Sequence, residues 1–139
     1  MRPDPGMLVV VYLTGELGAG KTTFARGFLS ELGVEGAVRS PTYTLLELQE
    51  LEGVTALHID LYRLHDASEL DSLGLREWAR PGIVWLIEWP QHAAARLPAP
   101  DLEIFLQVST AEHTLTLRAP STLGAEWLHR AVALLPQTL

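Results

Sequence analysis

The sequence predicts a three-layer α/β sandwich around a mixed, mainly parallel β-sheet that includes a β-hairpin. The first observation is a glycine-rich run that fits the pattern G-x-x-x-x-G-K-[ST], Gly15-Glu16-Leu17-Gly18-Ala19-Gly20-Lys21-Thr22. The second is its context: the apolar, β-branched residues 7–13 precede the run, and residues 21–32 after it have helical spacing. A strand, a phosphate-binding loop and a helix in this order predict the fold of P-loop nucleotide hydrolases.

The middle of the chain is divided by turn residues. Gly33 and Gly36 close the first helix. Residues 45–48 and 55–60 are two apolar segments on either side of a Glu52-Gly53 turn, so they can pair as a hairpin.

The second half continues with one short helix, three strands and a final helix. Residues 68–78 predict a short helix that is broken near Gly74, with Ser68 as its N-cap. The remaining segments are, in order, a fully apolar strand, two alternating strands that pair as a hairpin, and an amphipathic helix: residues 83–87, 102–108, 113–118 and 126–135.

Length and composition indicate one folded domain, residues 1–139. The net charge of −7 argues against a protein that binds nucleic acid by simple electrostatic attraction. The absence of cysteine excludes disulfides, thiolate metal sites and a cysteine nucleophile. No segment is long enough to span a bilayer, and the seven apolar residues near the N-terminus make a poor signal peptide because they enter the phosphate loop. We therefore expect a cytoplasmic protein with no membrane partner.

Lys21 is the only lysine in the chain; the other nine basic residues are arginines. A loop of this pattern points backbone N–H groups inward as an anion nest, and its glycines permit close approach of phosphate. The compact ammonium of Lys21 fits between phosphates, where a planar guanidinium has the wrong shape. The Thr22 hydroxyl is placed to coordinate Mg²⁺.

Two carboxylates end apolar strands, Asp60 and Glu88. Ligands of open α/β sheets lie beyond the carboxyl ends of the strands, which is also the edge from which the phosphate loop leaves. One of these carboxylates could ligate Mg²⁺ while the other holds the attacking water. The hydroxyl-rich loop 40–44, which contains Thr42, could be a switch that senses the γ-phosphate or a turn with local hydrogen bonds.

The sequence indicates which nucleotide binds more clearly than it indicates which molecule accepts the phosphoryl group. GTPases read guanine through an Asn-Lys-x-Asp element, but this chain has no asparagine and its single lysine lies in the loop. ATP is therefore favoured. A small-molecule kinase is one alternative, although no basic, glycine-hinged lid is apparent. A nucleotide-gated binding module with negligible turnover is another. None of the histidines has metal-ligand spacing, so they are interpreted as structural or exposed: His58, His65, His92, His113 and His129.

Four motifs in this order resemble the TsaE (YjeE) family of bacterial P-loop ATPases, which are needed to make threonylcarbamoyladenosine in tRNA. The resemblance runs from about residue 7 to residue 118. The motifs are Gly15-Glu16-Leu17-Gly18-Ala19-Gly20-Lys21-Thr22-Thr23-Phe24, Ser40-Pro41-Thr42-Tyr43-Thr44, His58-Ile59-Asp60-Leu61-Tyr62-Arg63-Leu64 and Ile87-Glu88-Trp89-Pro90.

The resemblance implies Mg²⁺-dependent ATP hydrolysis in a complex with two partners, TsaB and TsaD. In the family TsaD transfers the threonylcarbamoyl group, and the ATPase resets the complex, so this chain would meet tRNA only indirectly. By resemblance, Lys21, Asp60 and Thr42 serve catalysis, while Thr22 and Glu88 hold Mg²⁺. The residues implied to bind the nucleotide are Gly15, Glu16, Leu17, Gly18, Ala19, Gly20, Lys21, Thr22, Thr23 and Trp89.

One departure concerns the N-terminus. Family members usually carry a further strand and helix before the first strand, whereas this sequence starts close to it. That segment helps to cover the adenine in relatives. Either the true start lies upstream of Met1, or this protein does without the segment; in the second case we expect an exposed apolar sheet edge, and hence low solubility or dimerisation. A clean, stable monomer in sedimentation would contradict this expectation.

Overall fold

The computed structural model describes residues 8–16, 20–32, 46–51 and 54–134. Within these ranges the chain forms six strands and two α-helices. They are β1 Val9–Gly15, α1 Lys21–Leu32, β2 Leu46–Leu51, β3 Val54–Asp60, β4 Ile83–Glu88, β5 Leu102–Val108, β6 His113–Arg118 and α2 Thr122–Leu134. No helix in the described ranges is both long and apolar enough to cross a membrane.

The strands form one sheet in the order β2-β3-β4-β1-β5-β6. Strand β1 is central and runs parallel to both of its neighbours, β4 and β5, and β3 runs parallel to β4. The outer strands are antiparallel to their neighbours, β2 to β3 and β6 to β5. The predicted mixed, mainly parallel sheet is confirmed, together with both predicted hairpins. The turn predicted at 52–53 and the helix end at 33–36 lie outside the described residues.

The two faces of the sheet are covered differently. Both α-helices lie on one face, where Ala25 and Leu29 of α1 and Trp127 of α2 join the apolar side chains of the central strands. Two 3-10 helices, Ala67–Leu73 and Leu75–Trp78, supply buried leucines to the opposite face. The layers therefore differ in kind: α-helices on one side of the sheet and short 3-10 segments on the other.

The helix predicted over residues 68–78 is the pair of 3-10 helices, which Gly74 separates with a φ of 64°. A left-handed residue at this position ends one helix and starts the next, so the predicted break is confirmed. The cap is different from the prediction. Asp66 is the N-cap, and its Oδ1 accepts the N–H of Ser68 at 2.9 Å. An aspartate carboxylate commonly accepts the backbone N–H two residues later in the chain, so the cap is Asp66 and not Ser68.

Helix α2 starts at Thr122, four residues earlier than the sequence suggests. The Ser121 hydroxyl oxygen accepts the N–H of Gly124 at 2.9 Å, which is the geometry of a helix N-cap. Glycine is a poor helix former, so Gly124 conceals this start in the sequence. The structure explains the glycine, since a Cβ at this position would overlap the carbonyl oxygen of Asp101.

Asp101 ties α2 to the central strand. Its Oδ2 accepts the N–H of Val10 at 2.8 Å, its N–H donates to the Val10 carbonyl at 2.8 Å, and its Oδ1 accepts the Ser121 hydroxyl at 2.7 Å. The helix and the start of β1 are therefore held by one side chain. This fixes the strand from whose far end the glycine-rich loop departs.

Candidate nucleotide site

The glycine-rich run joins the end of the central strand to the first α-helix. Gly15 ends β1, Glu16 is exposed, and Gly20 has a φ of 95°, a conformation that a glycine adopts at little cost. Helix α1 begins at Lys21, with Thr22 and Thr23 in its first turn. The first four N–H groups of a helix lack partners within the helix, so this end can receive an anion. The predicted residues Leu17, Gly18, Ala19 and Thr42 lie outside the described residues.

Lys21 is buried at the mouth of this loop, with 5% of its surface exposed. Its Nζ donates to the carbonyl oxygens of Gly15 at 2.6 Å and Glu16 at 2.7 Å. Burial lowers the pKa of the ammonium, and the carboxylates of Glu88 and Asp60 oppose that shift. The cation therefore sits in the field of both acidic residues that the sequence singled out.

Asp60 and Glu88 are register partners at the carboxyl ends of β3 and β4. Alternation along a strand puts them on the same face as Ala56 and Leu86, which pack with α1. Leu13 of β1 is the other register partner of Glu88, so the end of β1 is one strand away. The predicted meeting of these carboxylates beside the glycine-rich loop follows directly from this parallel register.

Asp60 is half-buried, and its Oδ1 accepts the backbone N–H of Tyr62 at 3.0 Å. Burial is the largest influence on its pKa and raises it above 3.8. The Tyr62 hydrogen bond opposes the rise, while the Glu88 carboxylate adds to it. Asp60 is consequently a stronger proton acceptor than an ordinary aspartate.

Glu88 is almost fully buried and paired with His58. The exposed fractions are 2% and 1%, and the distance between His58 Nε2 and Glu88 Oε2 is 2.7 Å. Interpreting His58 as structural, with the other histidines, missed this contact. The available signal was its spacing: it lies two residues before Asp60 in an apolar strand and so shares the face of that carboxylate.

The indole ring of Trp89, the residue after Glu88, packs beside the Lys21 ammonium. Its ring centroid lies 4.3 Å from the Lys21 Nζ, 5.1 Å from the Tyr62 ring and 5.4 Å from the His92 ring. Its φ of 59° is a strained value for a bulky residue, so the surrounding contacts must hold it there. Two of them are the Trp89 N–H, which donates to the Leu13 carbonyl at 3.3 Å, and the cation–π contact.

A cavity of about 930 Å³ adjoins the loop. Gly15, Glu16 and Trp89 form one side, and residues of the β5–β6 hairpin, including Phe105, form the other. Its size is in the range of small-molecule sites. A second cavity, of about 750 Å³, lies by the 3-10 helices and is lined by Leu70 and Arg96 among others, away from the loop.

Comparisons with known proteins agree on one family. The family model described as "Threonylcarbamoyl adenosine biosynthesis protein TsaE" matches residues 4–118. The Haemophilus influenzae protein named "tRNA threonylcarbamoyladenosine biosynthesis protein TsaE" is 40% identical over 116 residues, which are 84% of this chain and 73% of that protein. The Bacillus subtilis protein of the same name is 42% identical over 99 residues, 70% of this chain and 61% of that protein.

A solved structure has the same architecture. The crystal structure of Bacillus subtilis YdiB superposes with a TM-score of 0.72 at 30% sequence identity. The match covers 90% of this chain and 79% of that one. The overall fold described above is therefore one that a solved structure shares.

Proposed function

This chain belongs to the TsaE family, and on that premise we propose that it is the Mg²⁺-dependent, ATP-binding and ATP-hydrolysing subunit of threonylcarbamoyladenosine synthesis on tRNA. The family description and the names of the relatives support the pathway. The observation that carries the chemistry is the position of Lys21. It begins a helix whose N-terminus follows a glycine-rich turn, within the field of Asp60 and Glu88.

The residues present fit a nucleotide with its metal. The helix N-terminus and Gly20 make an anion cradle, and Lys21 supplies a cation that phosphate oxygens would draw from the Gly15 and Glu16 carbonyls. The hydroxyl of Thr22 and the carboxylate of Glu88 are oxygen donors, the type that Mg²⁺ prefers. Bound Mg²⁺ would neutralise phosphate charge, and ATP would supply the phosphoryl group transferred to water.

Asp60 would hold the attacking water. Its raised pKa and half-buried position let it accept a hydrogen bond from water and orient it, while its hydrogen bond from Tyr62 fixes the carboxylate. Trp89 would close the opposite side of the Lys21 ammonium and exclude bulk water from it. Phosphoryl transfer depends mainly on positioning and charge, which these residues supply.

The proposed partners are TsaD and TsaB, with tRNA reached only through them, in the cytoplasm. The net charge of −7 supports a chain that leaves contact with the anionic RNA to other subunits. The fold also fits a small-molecule kinase, which would use the same loop on a different acceptor.

The test is phosphate release from Mg·ATP, by the chain alone and with the TsaB–TsaD pair, with Lys21→Ala as the control. Slow release that rises with the partners and disappears in the variant is the expected result. Consumption of ATP only with a small-molecule acceptor, with the phosphoryl group found on that acceptor, would favour the kinase. ATP binding with no release under any of these conditions would contradict the hydrolytic role.

A further inference from the structure

The buried hydrogen bond between His58 and Glu88 can hold the Glu88 carboxylate in one orientation. Both side chains are almost fully buried, and their hydrogen bond at 2.7 Å joins strands β3 and β4. A carboxylate that binds a metal is ionised and only accepts hydrogen bonds, so in this role His58 Nε2 would carry the hydrogen and donate it. This charge-assisted bond fixes one carboxylate oxygen, Oε2, and thereby sets the direction of the other.

The rest of the His58 ring shows that this contact is specific. Its Nδ1 is buried and has no hydrogen-bond partner among the described residues. A polar ring with an unsatisfied buried nitrogen is a costly way to fill space, and a leucine would pack there without that cost. Among the described residues, the hydrogen bond that compensates for this cost is the one to Glu88.

The register shows why the histidine is at 58. In the β3–β4 pair, His58 is opposite Leu86 and Asp60 is opposite Glu88, so His58 lies one pleat deeper in the sheet on the same face. From there it approaches the Glu88 carboxylate from the core side. Glu88 is the last residue of β4, and its carboxylate is near enough to Lys21 to raise the pKa of that ammonium.

We propose that His58 is a positioning residue that orients the Glu88 carboxylate for Mg²⁺. The inference rests on the proposed function, in which Glu88 is a metal ligand. Mg²⁺ demands near-ideal octahedral geometry, so a carboxylate free to rotate is a poorer ligand than one that is held. Outer partners of metal ligands typically contribute about 10–100-fold to metal affinity.

The experiment measures ADP affinity by calorimetry, first in EDTA and then at increasing concentrations of Mg²⁺. The affinity with Mg²⁺ divided by the affinity in EDTA is the Mg²⁺ enhancement. His58→Leu removes the donor at similar volume, and it should lower the enhancement about 10-fold while leaving affinity in EDTA unchanged within about twofold. His58→Gln can present an amide N–H near the position of Nε2 and should retain most of the enhancement. His58→Asn presents its amide near Nδ1 instead and should behave like the leucine variant.

Ile59→Val is the matched control. Ile59 is buried on the same strand but faces the opposite side of the sheet, so the variant should leave the Mg²⁺ enhancement unchanged within about twofold. Wild-type enhancement in a folded His58→Leu protein, or equal enhancement in the Gln and Asn variants, would overturn the proposal. If the ADP affinity of the wild-type protein did not change with Mg²⁺, that result would contradict the proposed function, and with it the inference about His58.

A measurement on the unmodified protein covers the case in which these variants do not fold. The ¹⁵N resonance of His58 Nε2 should shift when Mg²⁺ is added to the ADP-bound protein, because its acceptor carboxylate then gains a cation. The control is the ring of His129, which is exposed on α2 and does not line the cavity beside the loop; its resonance should stay unchanged. A His58 resonance that does not respond while ADP affinity rises with Mg²⁺ would overturn the positioning role and leave the proposed function intact.

Discussion

Asp60 and Glu88 are paired residues of adjacent parallel strands, but different groups hold them. The Glu88 carboxylate is hydrogen-bonded to a buried imidazole, whereas the Asp60 carboxylate accepts a backbone N–H at a half-buried position. Two carboxylates in different environments can take different roles in one reaction. The pairing thus allows one group to hold a metal and the other to hold water.

Asp60→Asn should reduce hydrolysis while leaving nucleotide binding intact. The amide oxygen can still accept the Tyr62 N–H, but it is a poor proton acceptor for water. We expect turnover to fall about 10²–10⁴-fold, with ADP affinity within about threefold of wild type. Single-turnover phosphate release and calorimetry measure the two quantities. Asp66→Asn, the same change at an exposed cap remote from the loop, should leave turnover unchanged; equal losses in both variants would contradict the assignment.

The same substitution should change how stability depends on pH. The pKa of Asp60 is raised in the folded protein, so its contribution to stability is present below the ordinary value of 3.8 and is lost as pH rises through the folded-state pKa. Asp60→Asn removes that loss. The free energy of unfolding of Asp60→Asn, minus that of the wild type, should therefore increase from pH 4 to pH 7. The increase should be less than about 1 kcal/mol because Asp60 is half-buried. Urea titrations at several pH values measure it, and a flat difference would count against the raised pKa.

Lys21→Ala should abolish nucleotide binding without unfolding the chain. The variant lacks the cation that would lie between the phosphates, and we expect phosphate release to fall about 100-fold or more. Lys21→Arg is the informative companion. It keeps the charge, but the planar guanidinium cannot reproduce the compact donation to the Gly15 and Glu16 carbonyls. Wild-type turnover in Lys21→Arg would show that charge alone suffices.

Trp89 should report nucleotide binding. Phosphates that draw Lys21 from its contact with the indole, 4.3 Å from the ring centroid, should change the tryptophan fluorescence. Trp89→Phe should remove most of that change while calorimetry still detects binding. Trp78→Phe is the matched control, since Trp78 lies among the 3-10 helices and should leave the signal intact. Persistence of the full signal in Trp89→Phe would assign it to another tryptophan.

Two helical glycines should respond in opposite ways to alanine. At Gly124 a Cβ would overlap the Asp101 carbonyl oxygen, so Gly124→Ala should destabilise the protein by about 2–4 kcal/mol. At Gly27, within α1, a Cβ would meet nothing within 4 Å. Gly27→Ala should therefore stabilise it by about 0.5–1 kcal/mol through helix propensity. Thermal melting of the two variants measures both effects, and a neutral Gly124→Ala would contradict the close packing of α2 on Asp101.

The sequence predicted well those features that depend on local pattern. The bounds of α1, β5 and β6 match the structure, since alternation and helical spacing mark them directly. Asp60 and Glu88 were identified because each ends an apolar strand, which needs no knowledge of the pairing. Their roles, and those of the loop residues, stay predictions.

The missed features depend on contacts between distant segments. The bond from His58 to Glu88 requires the β3–β4 register, which no local pattern encodes. The start of α2 was concealed because Gly124 is explained only by the Asp101 carbonyl beside it. The left-handed backbone of Trp89 runs against the preference of its residue type, so only the fold reveals it.

The central position of β1 determines the order in which the molecule can be assembled during synthesis. Both strands beside it come much later in the chain, since Val9 pairs with Val84 and Val11 with Leu102. The β2–β3 and β5–β6 hairpins close over short loops and can form as soon as they leave the ribosome. Strand β1, which leads into the glycine-rich loop, is made before its neighbours β4 and β5 and can pair with them only after they emerge. Nascent chains stalled at increasing lengths should therefore begin to bind ADP only after β5 has emerged, and binding by chains that end before β5 would contradict this order.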